Sequence, residues 1–144
     1  MKTLKIVCPE CHTVNTIEAS LQGTDILCSK CQGDLNDPFP VEVTDENCET
    51  HIKENNIAIL VDFYSTTCGP CMAMYEDYED AALAFPMKVR FLKINADEYQ
   101  KVARAYGVKA LPTIIAFKDG KEVNRVSAQL TQVELSLWAK NLTE

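Results

Sequence analysis

Sulfur carries most of the reactive chemistry in this chain. Seven of its 144 residues are cysteine, and six of these fall in three Cys-x-x-Cys pairs. Cys8-Pro9-Glu10-Cys11 and Cys28-Ser29-Lys30-Cys31 stand sixteen residues apart, the spacing of a zinc ribbon. Four thiolates close a tetrahedral site with no position left for water, so zinc held there is structural rather than hydrolytic. His12 adjoins Cys11 and offers a substitute ligand. An iron centre, and reversible oxidation with zinc release, stay open as alternatives. The seventh cysteine, Cys48, lies four residues before Ile52 on an expected helix, which reads as a small core residue. His51 beside it is expected at the surface.

The third pair, Cys68-Gly69-Pro70-Cys71, follows an apolar run and opens a helix. Unpaired backbone N–H groups and the positive end of the helix dipole stabilise a thiolate at Cys68. The second sulfur then sits one turn on, within reach of a mixed disulfide formed by the first, and can resolve it. Gly69 lets a partner backbone approach, and Pro70 suits a first turn that needs no amide donor. The pair could instead serve as a metal knuckle, but no further Cys pair or His lies at a matching distance.

These residues need elements to hold them. Thr13 to Ile17 and Asp25 to Leu27 suit short strands, with a turn at Gly23. Pro38 and Pro40 interrupt the chain, which divides it into a head of residues 1–37 and a domain of residues 38–144. A head that small cannot bury enough apolar surface to fold without a metal, disulfides or a partner. In the domain, Val41 to Val43 reads as a strand, with Thr44 or Asp45 capping a helix to about Asn55. Ile57 to Tyr64 is apolar except at Asp62, as in a strand covered on both faces. That lone carboxyl, six residues before Cys68, is either a satisfied polar group or a functional one. A helix over Cys68 to Phe85, a strand over Val89 to Ile94 and a helix over Glu98 to Tyr106 follow. Thr113 to Phe117 and Val123 to Val126 form a hairpin around Asp119-Gly120. The last helix, Thr131 to Leu142, is expected to turn Val133, Leu137 and Trp138 inward. The acidic stretch Glu76 to Asp80 reads as a solvated helix face. The sum is an α/β fold with a mixed central sheet.

Composition narrows the function. A formal charge of −7 disfavours nucleic acid, whose phosphates need clustered cations. Four thiolates with one Zn²⁺ would move it to about −9. The longest apolar run, Ile57 to Val61, is far short of a membrane span, and the first residues lack the apolar stretch of a secretory signal. So many thiols in a protein expected in the cytoplasm point to metal ligation or redox catalysis rather than a disulfide framework.

The domain resembles the thioredoxin family. The resemblance rests on Val61-Asp62-Phe63, on Cys68-Gly69-Pro70-Cys71 and on Phe91-Leu92-Lys93-Ile94-Asn95. It continues through Tyr106-Gly107-Val108-Lys109-Ala110-Leu111-Pro112-Thr113 and Phe117-Lys118-Asp119-Gly120. With the zinc-ribbon head, the whole resembles the bacterial thioredoxin-2 type. The resemblance implies a thioredoxin fold and a protein-disulfide reductase in which Cys68 is the exposed nucleophile and Cys71 the buried resolving thiol. It makes Asp62 the buried carboxyl that exchanges a proton with Cys71, with Lys93 beside it. Pro112 matches a cis-proline facing the sulfurs. Gly69, Pro70, Leu111 and Pro112, with Ala110 and Val126, form the rim that clients touch. Implied partners are disulfide-containing client proteins and an NADPH-dependent thioredoxin reductase, with no organic cofactor, nucleic acid or membrane, and the protein itself is expected as a monomer. The family's two tryptophans ahead of the motif are Tyr64 and Thr67 here, its cation after the second cysteine is Met72, and its helix proline is Glu76. A second reading from another class is a redox-sensitive binding or sensor module that docks a specific partner through the ribbon.

Overall fold

A computed structural model describes residues 2–143. The head opens with an antiparallel hairpin of β1 (Thr3–Val7) and β2 (Val14–Glu18), in register from Thr3 opposite Glu18 to Val7 opposite Val14. Strand β1 is absent from the sequence expectations. The expected strand over Asp25 to Leu27 is reduced to a single bridge between Leu27 and Asp34. The reason is local: Cys28 to Gly33 fold back as a tight knuckle, which leaves no length for a ladder.

The rest builds a five-stranded sheet in the order β3-β5-β4-β6-β7. Its strands are β3 (Val41–Val43), β4 (Ala58–Tyr64), β5 (Val89–Asn95), β6 (Thr113–Lys118) and β7 (Lys121–Val126). β3, β5 and β4 run parallel, while β6 runs antiparallel to β4 and β7 antiparallel to β6, so the sheet is mixed as expected. Every residue of β4 is buried, which explains its unbroken apolar reading. Asp119 and Gly120 both take positive φ in the β6–β7 turn, the geometry that an Asp-Gly hairpin turn demands.

Helices cover both faces. One face holds Ile59, Val61, Phe63, Leu92 and Ile94 against Cys48 and Ile52 of α1 (Cys48–Glu54) and Val102 of α4 (Gln100–Ala105). The other packs Leu60, Phe91 and Ile114 against Tyr78 of α3 (Tyr75–Ala82) and Leu135 of α5 (Gln132–Leu142).

Several expected boundaries move. Asn47, not Thr44 or Asp45, precedes α1, because the Asn47 carboxamide accepts the Thr44 N–H at 2.8 Å and closes a turn. The Asp45 carboxylate instead accepts the N–H groups of Lys101 and Val102 in the first turn of α4. The helix expected over Cys68 to Phe85 divides into α2 (Gly69–Ala73) and α3 at Met74. Met74 is wholly buried there, and its sulfur receives the Leu130 N–H. Thr131 caps α5 through a reciprocal capping box with Glu134. The helix is rotated from expectation: Leu135, Ala139 and part of Trp138 face the core, whereas Val133 and Leu137 are exposed.

The head shares a core with the sheet. Ile6, Cys8, Cys28 and Leu35 are fully buried in the same cluster as Val61 and Leu92. Arg90, in β5, is only 2% exposed. Its guanidinium donates to the carbonyls of Asp37 (3.1 Å), Leu35 (3.2 Å) and Val7 (3.4 Å). Burial lowers its pKa only to about 10, so it stays charged at neutral pH. Hydrogen bonds to a charged donor are worth more than neutral ones, and here they join residues 53 or more positions apart. Arg90→Met is therefore expected to lose about 2–4 kcal/mol of stability. Hydrogen exchange in residues 1–37 should accelerate with it, whereas protection equal to wild type would show that apolar packing alone seats the head.

Candidate functional site

The two head knuckles repeat one another. The N–H of Cys8 donates to Thr13 O and that of Cys28 to Gly33 O, while His12 and Gln32 return their N–H groups to Cys8 O and Cys28 O. His12 and Gln32 both take positive φ, at 64° and 65°. The turns bring the sulfurs of Cys8, Cys11, Cys28 and Cys31 within 4.8 Å of one another. Cys8 and Cys31 are 3.6 Å apart, as are Cys11 and Cys28. A tetrahedron with bonds of about 2.3 Å has edges of about 3.8 Å, so the four sulfurs fit a metal ion. Backbone N–H groups of Glu10, Cys11, Lys30 and Gly33 point at these sulfurs. The Asn15 amide also donates to Cys28 Sγ. The Cys31 N–H, followed by this amide, draws the Cys28 thiol down to about 6. Such donors favour thiolates, the form a metal needs, against burial that pushes the Cys8 thiol up to about 12.

His12 is not drawn into this cluster. Its Nδ1 lies 2.9 Å from Nε2 of His51. His51, expected at the surface, is fully buried beneath the head, because α1 is roofed by a segment about 40 residues away in sequence. Cys48 is wholly buried as expected, and burial pushes its thiol up to about 12, which suits an inert core position.

In the second site, Cys68 and Cys71 form a disulfide at the mouth of α2. Cys68 caps the helix: its sulfur receives the Cys71 N–H at 3.2 Å. It is partly accessible, while Cys71 is 2% exposed. The loop ahead is anchored where the family's tryptophan would stand. Ser65 donates to the Asp97 carboxylate at 2.6 Å and meets the Thr67 hydroxyl at 2.9 Å. Sequence reasoning misses this tie, because only the fold brings Asp97 back to the loop. Gly69 and Pro70 are exposed, and a Cβ on Gly69 would meet nothing within 4 Å. Any demand for glycine there comes from a partner rather than from this chain. The Leu111–Pro112 peptide is cis. Thr113, next along, holds Ser127 at 2.9 Å.

A row of charge lies on the sheet face that α3 covers. In the sheet register Glu42 of β3 stands opposite Lys93 of β5, and Lys93 opposite Asp62 of β4. Opposed residues share a face, so the three side chains project together toward α3. Asp62 is 2% exposed, and its Oδ1 has no hydrogen-bond partner. Burial raises its carboxyl to about 7, Lys93 working against the rise and Glu42 adding to it. Lys93 makes no ion pair among the described residues. Its ammonium lies 4.0 Å from the centre of the Tyr75 ring and 4.7 Å from that of Tyr64, a cation–π seat.

The comparisons agree with this geometry. The thioredoxin family model matches residues 39–141. Thioredoxin C-3 of Corynebacterium nephridii is 28% identical over 133 residues, spanning 92% of this chain and 91% of that protein. A thioredoxin of Chlorobaculum thiosulfatiphilum is 35% identical over 103 residues, spanning 72% and 93%. Among solved structures, a point-mutant thioredoxin from Halobacterium salinarum NRC-1 superposes with a TM-score of 0.68 at 30% identity. That match covers 74% of this chain and 93% of its own. The chain belongs to the thioredoxin family and is a thiol–disulfide oxidoreductase.

Proposed function

We propose that this protein reduces disulfides of client proteins through Cys68 and Cys71, with a structural zinc in a head of residues 1–37 joined to a redox domain of residues 38–144. The observation that carries the reading is the pairing of a partly accessible Cys68 with a buried Cys71 across one helical turn. The Cys68 thiolate attacks one sulfur of the client disulfide, and the other client sulfur leaves as a thiolate. Cys71 then gives its proton to the Asp62 carboxylate and attacks Cys68 Sγ. The mixed disulfide breaks, the second client sulfur leaves, and two electrons have passed from the dithiol to the client. Lys93 steadies the charge on Asp62. Gly69, Pro70 and Leu111, backed by the buried cis Pro112, form the surface against which an extended client strand lies. Thioredoxins are re-reduced by thioredoxin reductase, and an NADPH-dependent enzyme of that class fits here.

For the head, the four-sulfur geometry supports zinc: when bound, the ion clamps both knuckles and supplies no redox chemistry of its own. The match to thioredoxin C-3 takes in most of the first 37 residues, and it is the four-cysteine cluster there that fits the zinc-ribbon thioredoxin-2 type. No described helix is long and apolar enough to cross a membrane, and a monomer working in the cytoplasm fits the reading. The test is insulin reduction driven by dithiothreitol. Wild type is expected to exceed the uncatalysed rate clearly, and Cys68→Ser to match the background. Equal rates for the two would overturn the reductase reading.

A further inference from the structure

The proton that Cys71 gives to Asp62 must later leave a site with few exits. On one side Asp62 faces Ile114 of β6 in register, and Ile114 is fully buried. Leu60 and Tyr78 close it further, both also fully buried. Toward the sulfurs, Cys71 is 2% exposed before a client arrives, and a bound client covers that side. A polar path runs along the row through Lys93 to Glu42, which is exposed. There a notch of about 90 Å³, lined by Phe39, Pro40, Glu42, Tyr75, Glu79 and Lys93, admits water to the outer end of the row.

Glu42 is fixed rather than mobile at this notch. The Tyr64 hydroxyl lies 2.8 Å from one of its carboxylate oxygens and 2.9 Å from the other. Burial, followed by the Glu42 carboxylate, pushes the Tyr64 phenol up, so it remains a donor. The same tyrosine ring seats Lys93, and a phenol donating to a carboxylate presents a more electron-rich face to a cation. Lys93 is thus held between two carboxylates that stand on either side of it in the register. We propose that Glu42 is a positioning residue of the resolving step: clamped by Tyr64 on the far side of Lys93, it offsets the ammonium's pull on Asp62 and so governs when Asp62 takes and releases the Cys71 proton. This rests on the reading of Asp62 as the proton acceptor for Cys71.

The groups facing Asp62 fix the sign. Lys93 of β5 disfavours its protonated form, and Glu42 of β3 favours it. Tyr64 lies on the same strand and Tyr75, Tyr78 and Glu79 on α3, while β6 presents only Ile114. Removing the Glu42 charge therefore lowers the pH at which Asp62 titrates. Two strand spacings, about 9.6 Å, separate the two positions, which gives a shift of about 0.3–1.3 pH units for screening between water-like and protein-like.

The experiment follows the Asp62 carboxyl by ¹³C NMR in the oxidised full-length protein, and the pH profile for release of a trapped mixed disulfide. In Glu42→Gln both midpoints should fall by that amount. Glu42→Lys should roughly double the fall, Lys93→Met should move both midpoints upward, and Glu42→Asp should restore at least about half of the shift. A Glu42→Gln midpoint equal to wild type or above it, while Asp62→Asn alters the release profile, would overturn the role of Glu42 alone. If Asp62→Asn left the release profile unchanged, the acceptor reading would fall and the Glu42 proposal with it. A role confined to folding would lower the melting temperature and leave both midpoints in place.

Discussion

With Cys28 and Cys31 both changed to serine, the protein is expected to purify without bound metal and with residues 1–37 unfolded. Wild type should carry about one zinc per chain, and the double variant close to none. A structural zinc site contributes on the order of 10 kcal/mol to the folding of the segment it closes. The head has little to set against that loss. Its hairpin has two strands, and an isolated hairpin is at best marginal in water. The remaining support comes from Ile6, Leu35 and their contacts with the sheet. The damage should reach the redox domain as well, because an unfolded head removes the three carbonyls that Arg90 serves and uncovers His51. An uncompensated buried cation is among the costlier defects a core can hold. We expect the redox domain to lose about 2–4 kcal/mol, or roughly 10–20 °C in melting temperature. Metal analysis, hydrogen exchange over residues 1–37 and a thermal melt read the three consequences separately. Unchanged zinc content would overturn the ribbon assignment. Lost zinc with full protection of the head would show that docking onto the sheet, rather than the metal, holds it.

What the sequence makes legible is local. Each cysteine pair is defined within four residues, and the Asp119-Gly120 turn and the Thr131–Glu134 capping box are equally short-range. Asp62 stands out because a lone carboxyl in an apolar run is conspicuous at any resolution. Arg90 carries the same kind of signal, a charge inside the otherwise apolar front of β5, and could be found by the same rule. Its partners could not, since they lie on the head, more than 50 positions away. His51 is misplaced from sequence for the same reason. The row from Glu42 through Lys93 to Asp62 depends on strand order β3-β5-β4 and on register, neither of which leaves a trace in residue spacing. Helix α5 shows a subtler failure. It carries two apolar stripes, one through Val133 and Leu137, the other through Leu135, Trp138, Ala139 and Leu142. The core takes the second because small Ala139 lets the helix lie close to the sheet.

Asp62→Asn should make the protein more stable at pH 8 and leave it nearly unchanged at pH 4. The Asp62 carboxyl titrates near 7 in the folded protein and near 3.9 in an unfolded chain. Between those values the folded state holds a proton that the unfolded state has released. The group's contribution to stability is therefore fully present below about pH 4 and is lost as pH rises through about 7. A shift of about three pH units corresponds to at most about 4 kcal/mol. Asparagine resembles the protonated acid in size and carries no charge at any pH. At pH 8 the variant escapes the desolvation cost, and a gain of about 2–4 kcal/mol is expected. Urea unfolding of the oxidised proteins at pH 4, 6 and 8 measures this directly, and a pH-independent difference would show that Asp62 is not the group responsible. The same substitution should slow release of a trapped mixed disulfide near neutral pH, because in the proposed mechanism the carboxylate that is costly to bury takes the Cys71 proton. Stability gained and turnover lost at one position is the signature of a group retained for chemistry. A variant that gained stability without losing rate would leave the buried charge without a function.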